Sequence, residues 1–276
     1  MSLRRESAAT SFALSDRVSA NPTHIWIEPT NRCNTRCTHC GHFYDKFGED
    51  MSTPLFEKIR NSALDGVERV ELIGYGEPLM ARQFEAMMGE CLRRDLEIYT
   101  TTNGILLAND KLVAKLVRSP MRLCLSLDGT RAETFEFVRP YIKWGKMIEV
   151  LECIKRNADD AGAEKKFSLR INYVAMKHSI ADLPEMVRLA ARYGASQIYV
   201  LPLGGDESFE KVKGQSLDIS PELVSPSFLA ALRLAARLRV EIIVPPHSFR
   251  SFSMGRSGDG GCAEKSCALC AKPSWG

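Results

Sequence analysis

Short runs of β-branched and aromatic residues alternate with stretches of helical period along most of the chain, and this alternation leaves few folds open. The runs are HIWIEP from His24, RVELIGY from Arg69, EIYTTTN from Glu97, RLCLSLD from Arg122, SLRINYVAM from Ser168 and QIYVLPL from Gln197. Helical patterns fall between them, beginning at Thr53, Arg82, Ala108, Trp144 and Asp182. Gly162 and Gly194 each follow an apolar-periodic run, where a left-handed cap is expected, and Asp182 with Glu185 has the spacing of a capping box. Strand and helix in strict alternation build a parallel sheet, so the pattern predicts an α/β fold of six βα units around a parallel sheet.

After the sixth run comes a polar loop, GGDESFEKVKGQSLDISPE, then a helix around FLAALRLAARLR from Phe228 and a last strand, VEIIVPP, from Val240. From His247 the period is lost and Ser and Gly dominate. The expected organisation is an N-terminal extension over 1–20, the barrel over 21–246 and a cysteine-rich tail over 247–276. At 276 residues the chain is long enough for one barrel-sized domain.

Charge excludes little but points away from nucleic acid: 37 Lys and Arg against 34 Asp and Glu leave +3, and the basic residues are spread rather than blocked. The opening residues lack the apolar core of a signal peptide, and no segment has 18 uninterrupted apolar residues, so a cytoplasmic protein without a membrane span is expected. In a reducing compartment, nine cysteines are read as metal or redox ligands where they cluster. Cys91, Cys124 and Cys153 stand alone in apolar patterns and read as buried small hydrophobes.

The other six form two trios. Cys33, Cys37 and Cys40 lie in CNTRCTHC directly after the first strand, where parallel βα folds place their chemistry. Thiolates crowded into one loop repel one another and need a cation, yet a closed zinc site needs four ligands, and no fourth cysteine is near. His39 and His42 could each be proposed as the missing ligand. An iron–sulfur cube held by three cysteines accounts for the vacancy differently, leaving one iron open to the amino and carboxylate groups of another molecule.

This spacing resembles the CxxxCxΦC signature of the radical S-adenosylmethionine (SAM) superfamily, with His39 where that family usually has an aromatic. Three further segments match at successive strand ends: GYGEP (Gly74–Pro78), TTNG (Thr101–Gly104) and SLDG (Ser126–Gly129). The resemblance implies a partial (β/α)6 TIM-like barrel with a [4Fe-4S] cluster on Cys33, Cys37 and Cys40, and SAM as the second cofactor. It further implies that Gly74 and Gly76 let the backbone approach the methionyl group, that Glu77 receives its ammonium, and that Thr102, Asn103 and Ser126 face the ribose side. Arg139 or Arg170 would meet the SAM carboxylate. An electron donor such as flavodoxin or ferredoxin is implied as a partner.

The second trio, Cys262, Cys267 and Cys270, sits in CAEKSCALC with AKPSWG following. The segment resembles the opening of the extension called SPASM or Twitch, which carries an auxiliary iron–sulfur cluster. The pattern breaks off at Gly276, so either more chain follows in a longer protein or a remnant is kept, and zinc stays open for these thiols. The implied chemistry is reductive cleavage of SAM to a 5′-deoxyadenosyl radical that abstracts hydrogen. The expected substrate is a peptide or protein side chain, oxidised or cross-linked, with a small polyol or aminosugar as the alternative. A non-catalytic zinc protein is the distant alternative, and it leaves GYGEP and the strand-end placement unexplained.

Overall fold

The computed structural model describes residues 22–43, 48–162, 166–204, 209–217 and 221–245. Seven strands form one sheet in chain order, every neighbouring pair parallel: β1 (His24–Ile27), β2 (Arg69–Leu72), β3 (Glu97–Thr102), β4 (Met121–Ser126), β5 (Ser168–Ala175), β6 (Ala195–Pro202) and β7 (Glu241–Ile243). Helices α1 (Thr53–Ser62), α2 (Phe84–Arg93), α3 (Asp110–Val117), α4 (Ala132–Val138), α5 (Trp144–Asp160), α6 (Leu183–Arg192) and α7 (Pro221–Leu238) connect them. This is the partial TIM-like barrel expected, with the last strand from Val240 as β7 beyond the six units.

Alternation along the strands sorts the two faces. Leu72, Ile98, Leu123 and Ile171 are fully buried in one apolar core with Met87 of α2 and Met186 of α6. Glu71, Tyr99, Arg122, Arg170 and Asn172, one position away from them, alternate to the concave side. There Arg69 and Arg122 stack on Tyr99 at 4.5 and 4.7 Å, and Arg170 on Tyr199 at 4.8 Å. Cys91, Cys124 and Cys153 are buried, as their apolar settings predicted.

Local signals hold where the backbone alone decides. Ser52 and Asn109 accept from Leu55 N and Leu112 N and so cap α1 and α3, and Gly162 and Gly194 take φ of +78° and +75° after α5 and α6.

The capping box at Asp182 does not form. Asp182 has helical backbone angles and makes no cap bond. Its buried carboxylate instead accepts from Thr130 N at 3.0 Å and from the Thr134 hydroxyl, securing the start of α4. Helix α4 is short and was absent from the strand–helix pattern. The Asp182 contact predicts that Asp182→Ala, which removes the acceptor shared by Thr130 N and the Thr134 hydroxyl, lowers stability by about 1–3 kcal/mol. Thermal unfolding followed by circular dichroism should show a fall of several degrees.

Candidate active site

All the strands end at the same side of the sheet, so loops far apart in sequence meet there. The loop after β1 carries Cys33, Cys37 and Cys40 and is held almost entirely by bonds to other elements. Thr30 and Asp50 form an antiparallel bridge, and Asn31 N donates to Glu49 O at 3.0 Å. Arg32 forks onto Asp50 at 2.8 and 2.9 Å and also donates to Met80 O at 2.9 Å. Further on, Thr38 N donates to Val138 O at 2.9 Å, tying the loop to the end of α4.

The GYGEP segment packs on this loop backbone to backbone. A Cβ on Gly76 would lie 2.4 Å from Arg32 O and 2.5 Å from Thr30 O. At Gly74 it would strike the Glu28 side chain, 2.3 Å from Cγ, and Glu28 also accepts from Tyr75 N at 2.5 Å. Glycine is therefore required at Gly76 by close approach of backbone rather than by dihedral angle, whereas at Gly74 the neighbour is the Glu28 side chain. Tyr75 lies over Gly41 and beside His42, their rings 5.3 Å apart.

Glu77 is buried at 2% exposure. Its Oε1 accepts from Thr102 Oγ1 at 2.7 Å and Leu79 N at 3.3 Å, and its Oε2 from Asn103 N at 2.7 Å. Burial pushes its pKa up, and the three donors pull against that shift. Asn103 continues the chain of contacts, its Nδ2 donating to Asn34 Oδ1 at 2.7 Å and lying 3.9 Å from Cys33 Sγ.

Each of the three sulfurs has an N–H donor. Cys33 has Asn103 Nδ2, Cys37 has Arg139 Nη1 at 3.1 Å, and Cys40 has the backbone N–H of His42. Burial raises the pKa of Cys37 and Cys40, with Arg139 opposing this most strongly at Cys37. Burial also pulls His39 down to about 4, and its Nδ1 is enclosed without a hydrogen-bond partner.

The two arginines separate clearly. Arg139, buried, donates from Nε to Asp128 Oδ2 at 2.7 Å, and Asp128 Oδ1 in turn accepts from Val174 N at 2.8 Å. Burial works against the Arg139 charge, but Asp128 and Cys37 more than offset it, so its pKa lies above the ordinary value. Arg170 is deeper in the concave face, donating to Asn172 Oδ1 at 3.1 Å. Ser126 ends β4 on that same face, in register with Asn172. Cys262, Cys267 and Cys270 lie outside the described residues.

The cysteine loop, GYGEP, Thr102, Asn103 and Arg139 are thus brought together. Sequence reasoning passed over Asp128, although it stands inside the quoted SLDG, and over Asn34, Arg32 and Asp50. A carboxylate at a strand end, eleven residues before an arginine, was the available signal for Asp128.

The donor set fits an iron–sulfur cluster. Three thiols with N–H groups directed at their sulfurs suit cluster ligation, in which hydrogen bonds to sulfur offset the negative charge. Among the described residues, no three His, Cys, Asp or Glu side chains are drawn together closely enough to hold a single metal ion.

A strand-end thiolate trio beside a glycine loop, on a parallel half-barrel, defines a class of cluster-dependent enzyme, and comparison with known proteins gives it a family. Residues 27–190 match the radical SAM superfamily, and the chain belongs to it. Its members are enzymes that use a [4Fe-4S] cluster together with SAM.

Among curated relatives, the chain is 28% identical over 206 residues to the tungsten-containing aldehyde ferredoxin oxidoreductase cofactor-modifying protein of Pyrococcus furiosus, covering 72% of this chain and 57% of that one. It is 30% identical over 210 residues to the GTP 3′,8-cyclase of Sinorhizobium medicae, covering 71% and 57%. The chain therefore spans little more than half the length of these relatives.

The fold is similar to that of Streptococcus suis SuiB solved with the precursor peptide SuiA, with a TM-score of 0.65, 18% identity, and 82% of this chain and 49% of that chain covered. It is also similar to anSMEcpe with bound AdoMet, with a TM-score of 0.63, 18% identity and 80% and 64% covered.

Two substitutions test the packing of the site. Gly76→Ala should force the two loops apart, so iron retained after anaerobic reconstitution should fall well below wild type while the far-UV circular dichroism is unchanged. Glu77→Ala strands the buried donors of Thr102 and Asn103, at a cost of about 1–3 kcal/mol in unfolding free energy. It should also weaken SAM binding measured by equilibrium dialysis.

Proposed function

We propose that the protein cleaves SAM reductively and abstracts a hydrogen atom from a peptide or protein side chain, oxidising or cross-linking it. One observation carries the reading: three cysteines, each with an N–H donor at its sulfur, stand at the strand-end mouth against the GYGEP loop. When bound, the cluster supplies one electron to the sulfonium of SAM, yielding methionine and the 5′-deoxyadenosyl radical that takes the hydrogen atom.

The chain's own residues bind and orient. Cys33, Cys37 and Cys40 would hold the cluster, three thiols rather than four leaving it able to take up the amino and carboxylate groups of SAM. Gly74 and Gly76 let the backbone of their loop approach the methionyl group. Glu77 Oε2 accepts a single bond from Asn103 and so keeps a lone pair for the ammonium. Thr102, Asn103 and Ser126 serve the ribose side, and Arg139 or Arg170 the carboxylate, Arg139 being the one beside the cysteines. A reduced flavodoxin or ferredoxin would deliver the electron.

The peptide substrate is supported by the likeness to SuiB, which was solved with a precursor peptide. A small-molecule substrate is the second reading. It is favoured by the identity with a GTP 3′,8-cyclase and by Arg69 and Arg122, stacked on Tyr99 within the concave face.

Anaerobic reconstitution tests the core of the proposal. Wild-type protein should take up iron and sulfide and form 5′-deoxyadenosine on reduction, and Cys37→Ala should fold yet drop to background. Retained 5′-deoxyadenosine in that variant would end the assignment. Deuterium carried into 5′-deoxyadenosine from a deuterated peptide, but not from deuterated GTP or sugars, would identify the substrate class. In the same samples, iron beyond one cluster's worth would assign Cys262, Cys267 and Cys270 to an auxiliary cluster, whereas stoichiometric zinc would assign them to zinc.

A further inference from the structure

We propose that Arg139, held in place by Asp128, is a positioning residue that sets how readily the cluster bound through Cys37 accepts an electron. The inference rests on the cluster assignment above and goes beyond it, to a buried charge pair that cluster ligation does not require.

The geometry is specific. Arg139 Nε donates to Asp128 Oδ2 at 2.7 Å while Nη1 reaches Cys37 Sγ at 3.1 Å, so a single guanidinium bridges the carboxylate and the sulfur. Asp128 is wholly buried and its other oxygen is fixed by Val174 N at 2.8 Å, which locks it between β4 and β5. The Arg139 end is fixed by α4, whose last residue accepts from Thr38 N one position beyond Cys37. Both partners of the bridge are therefore immobilised independently of each other.

Of the three N–H donors to sulfur among the described residues, only the one at Cys37 carries a formal charge, and the Thr35 hydroxyl beside Cys33 and Cys37 is neutral. Asn103 Nδ2 is neutral and lies 3.9 Å from Cys33, and Cys40 has a backbone N–H. A buried ion pair is a poor stabilising device in itself, because desolvation offsets most of its attraction. Placed against a cluster ligand it acquires a use. Reduction adds one negative charge to the cluster, and a cation within a water-poor site favours the state with more negative charge. Asp128 opposes that effect from the far side of the guanidinium and so sets its size. The step itself is simple: one electron passes from dithionite in the assay, or from a reduced flavodoxin or ferredoxin, to the cluster, with no bond made or broken.

The test is an EPR-monitored redox titration of the reconstituted protein without SAM, so that no part Arg139 plays at the cofactor's carboxylate enters the measurement. In Arg139→Gln, the ratio of reduced to oxidised cluster at a fixed poise should fall at least tenfold, which for a one-electron couple is a 59 mV shift to lower potential. Asp128→Asn should shift the potential the other way, and Arg139→Lys should fall between wild type and Arg139→Gln. The double variant D128N/R139Q, which leaves no lone buried charge, should shift in the R139Q direction by a smaller amount.

An R139Q potential equal to wild type would overturn the inference, as would single variants that shift in the same direction, because general loosening of the loop has no reason to change sign. Where a single variant fails to load, R139K and the double variant decide. Loss of the cluster from both of those would mean that the pair only holds the loop, and would also overturn it. A wild-type protein that binds no cluster would instead defeat the function proposed above, so the two failures are distinguishable.

Discussion

Three thiolates confined to eight residues repel one another, and the loop that holds them lacks regular structure of its own with which to resist. Its shape is imposed from outside. Arg32 is forked by Asp50 and bound to Met80 O, Asn34 is held by Asn103, and Thr38 is tied to Val138. These partners come from four separate connections, which meet only because parallel strands all end on one side of the sheet. The sheet therefore does more than support the site: without its register, the donors to Cys33 and Cys37 would not face their sulfurs.

Glu77 shows how closely site and fold are joined. A buried carboxylate is tolerable when its oxygens are satisfied, and here the donors come from the end of β3, while the residue itself follows β2. The same side chain thus links two strand ends and presents an acceptor at the mouth. Gly76 contributes by what it lacks, since the carbonyls of Thr30 and Arg32 occupy the space of a methyl group. On the proposed assignment, substitutions at these two positions would touch folding and binding together, and only measurements that separate iron loading from secondary structure can assign their effects.

Strands, most helices and the cysteine loop were legible because each depends on local pattern: alternation, helical period, cap chemistry, ligand spacing. The parts that were not legible depend on contacts between distant segments. The Asp182 spacing had the form of a capping box, yet the carboxylate serves Thr130 and Thr134 some fifty residues earlier, and burial favours that use over a solvent-exposed cap. Helix α4 is only seven residues long, too short for its period to stand out, and it is the element that delivers Arg139 to Cys37. From sequence, Arg139 and Arg170 were equivalent candidates. What separates them is the turn of chain between Asp128 and Arg139, which returns the guanidinium to the mouth, whereas Arg170 projects from mid-strand into the concave face.

That concave face differs from the interior of a closed eight-stranded barrel, where layers of branched side chains fill the centre. Here the outward positions of the strands supply the apolar core with the helices, and the inward positions carry Arg69, Glu71, Tyr99, Arg122, Arg170 and Tyr199. Charged groups are kept at such positions only where water or a polar ligand can reach them, or where they pair. The stacked arginines meet this condition in part through the tyrosine rings, and Arg69 also pairs with Glu97 at 2.8 Å. A sheet of seven strands with β1 and β7 at opposite ends of its order leaves this face open, and a polar surface is the one such an opening can sustain without collapse. The open sheet and its polar lining are thus two results of one constraint.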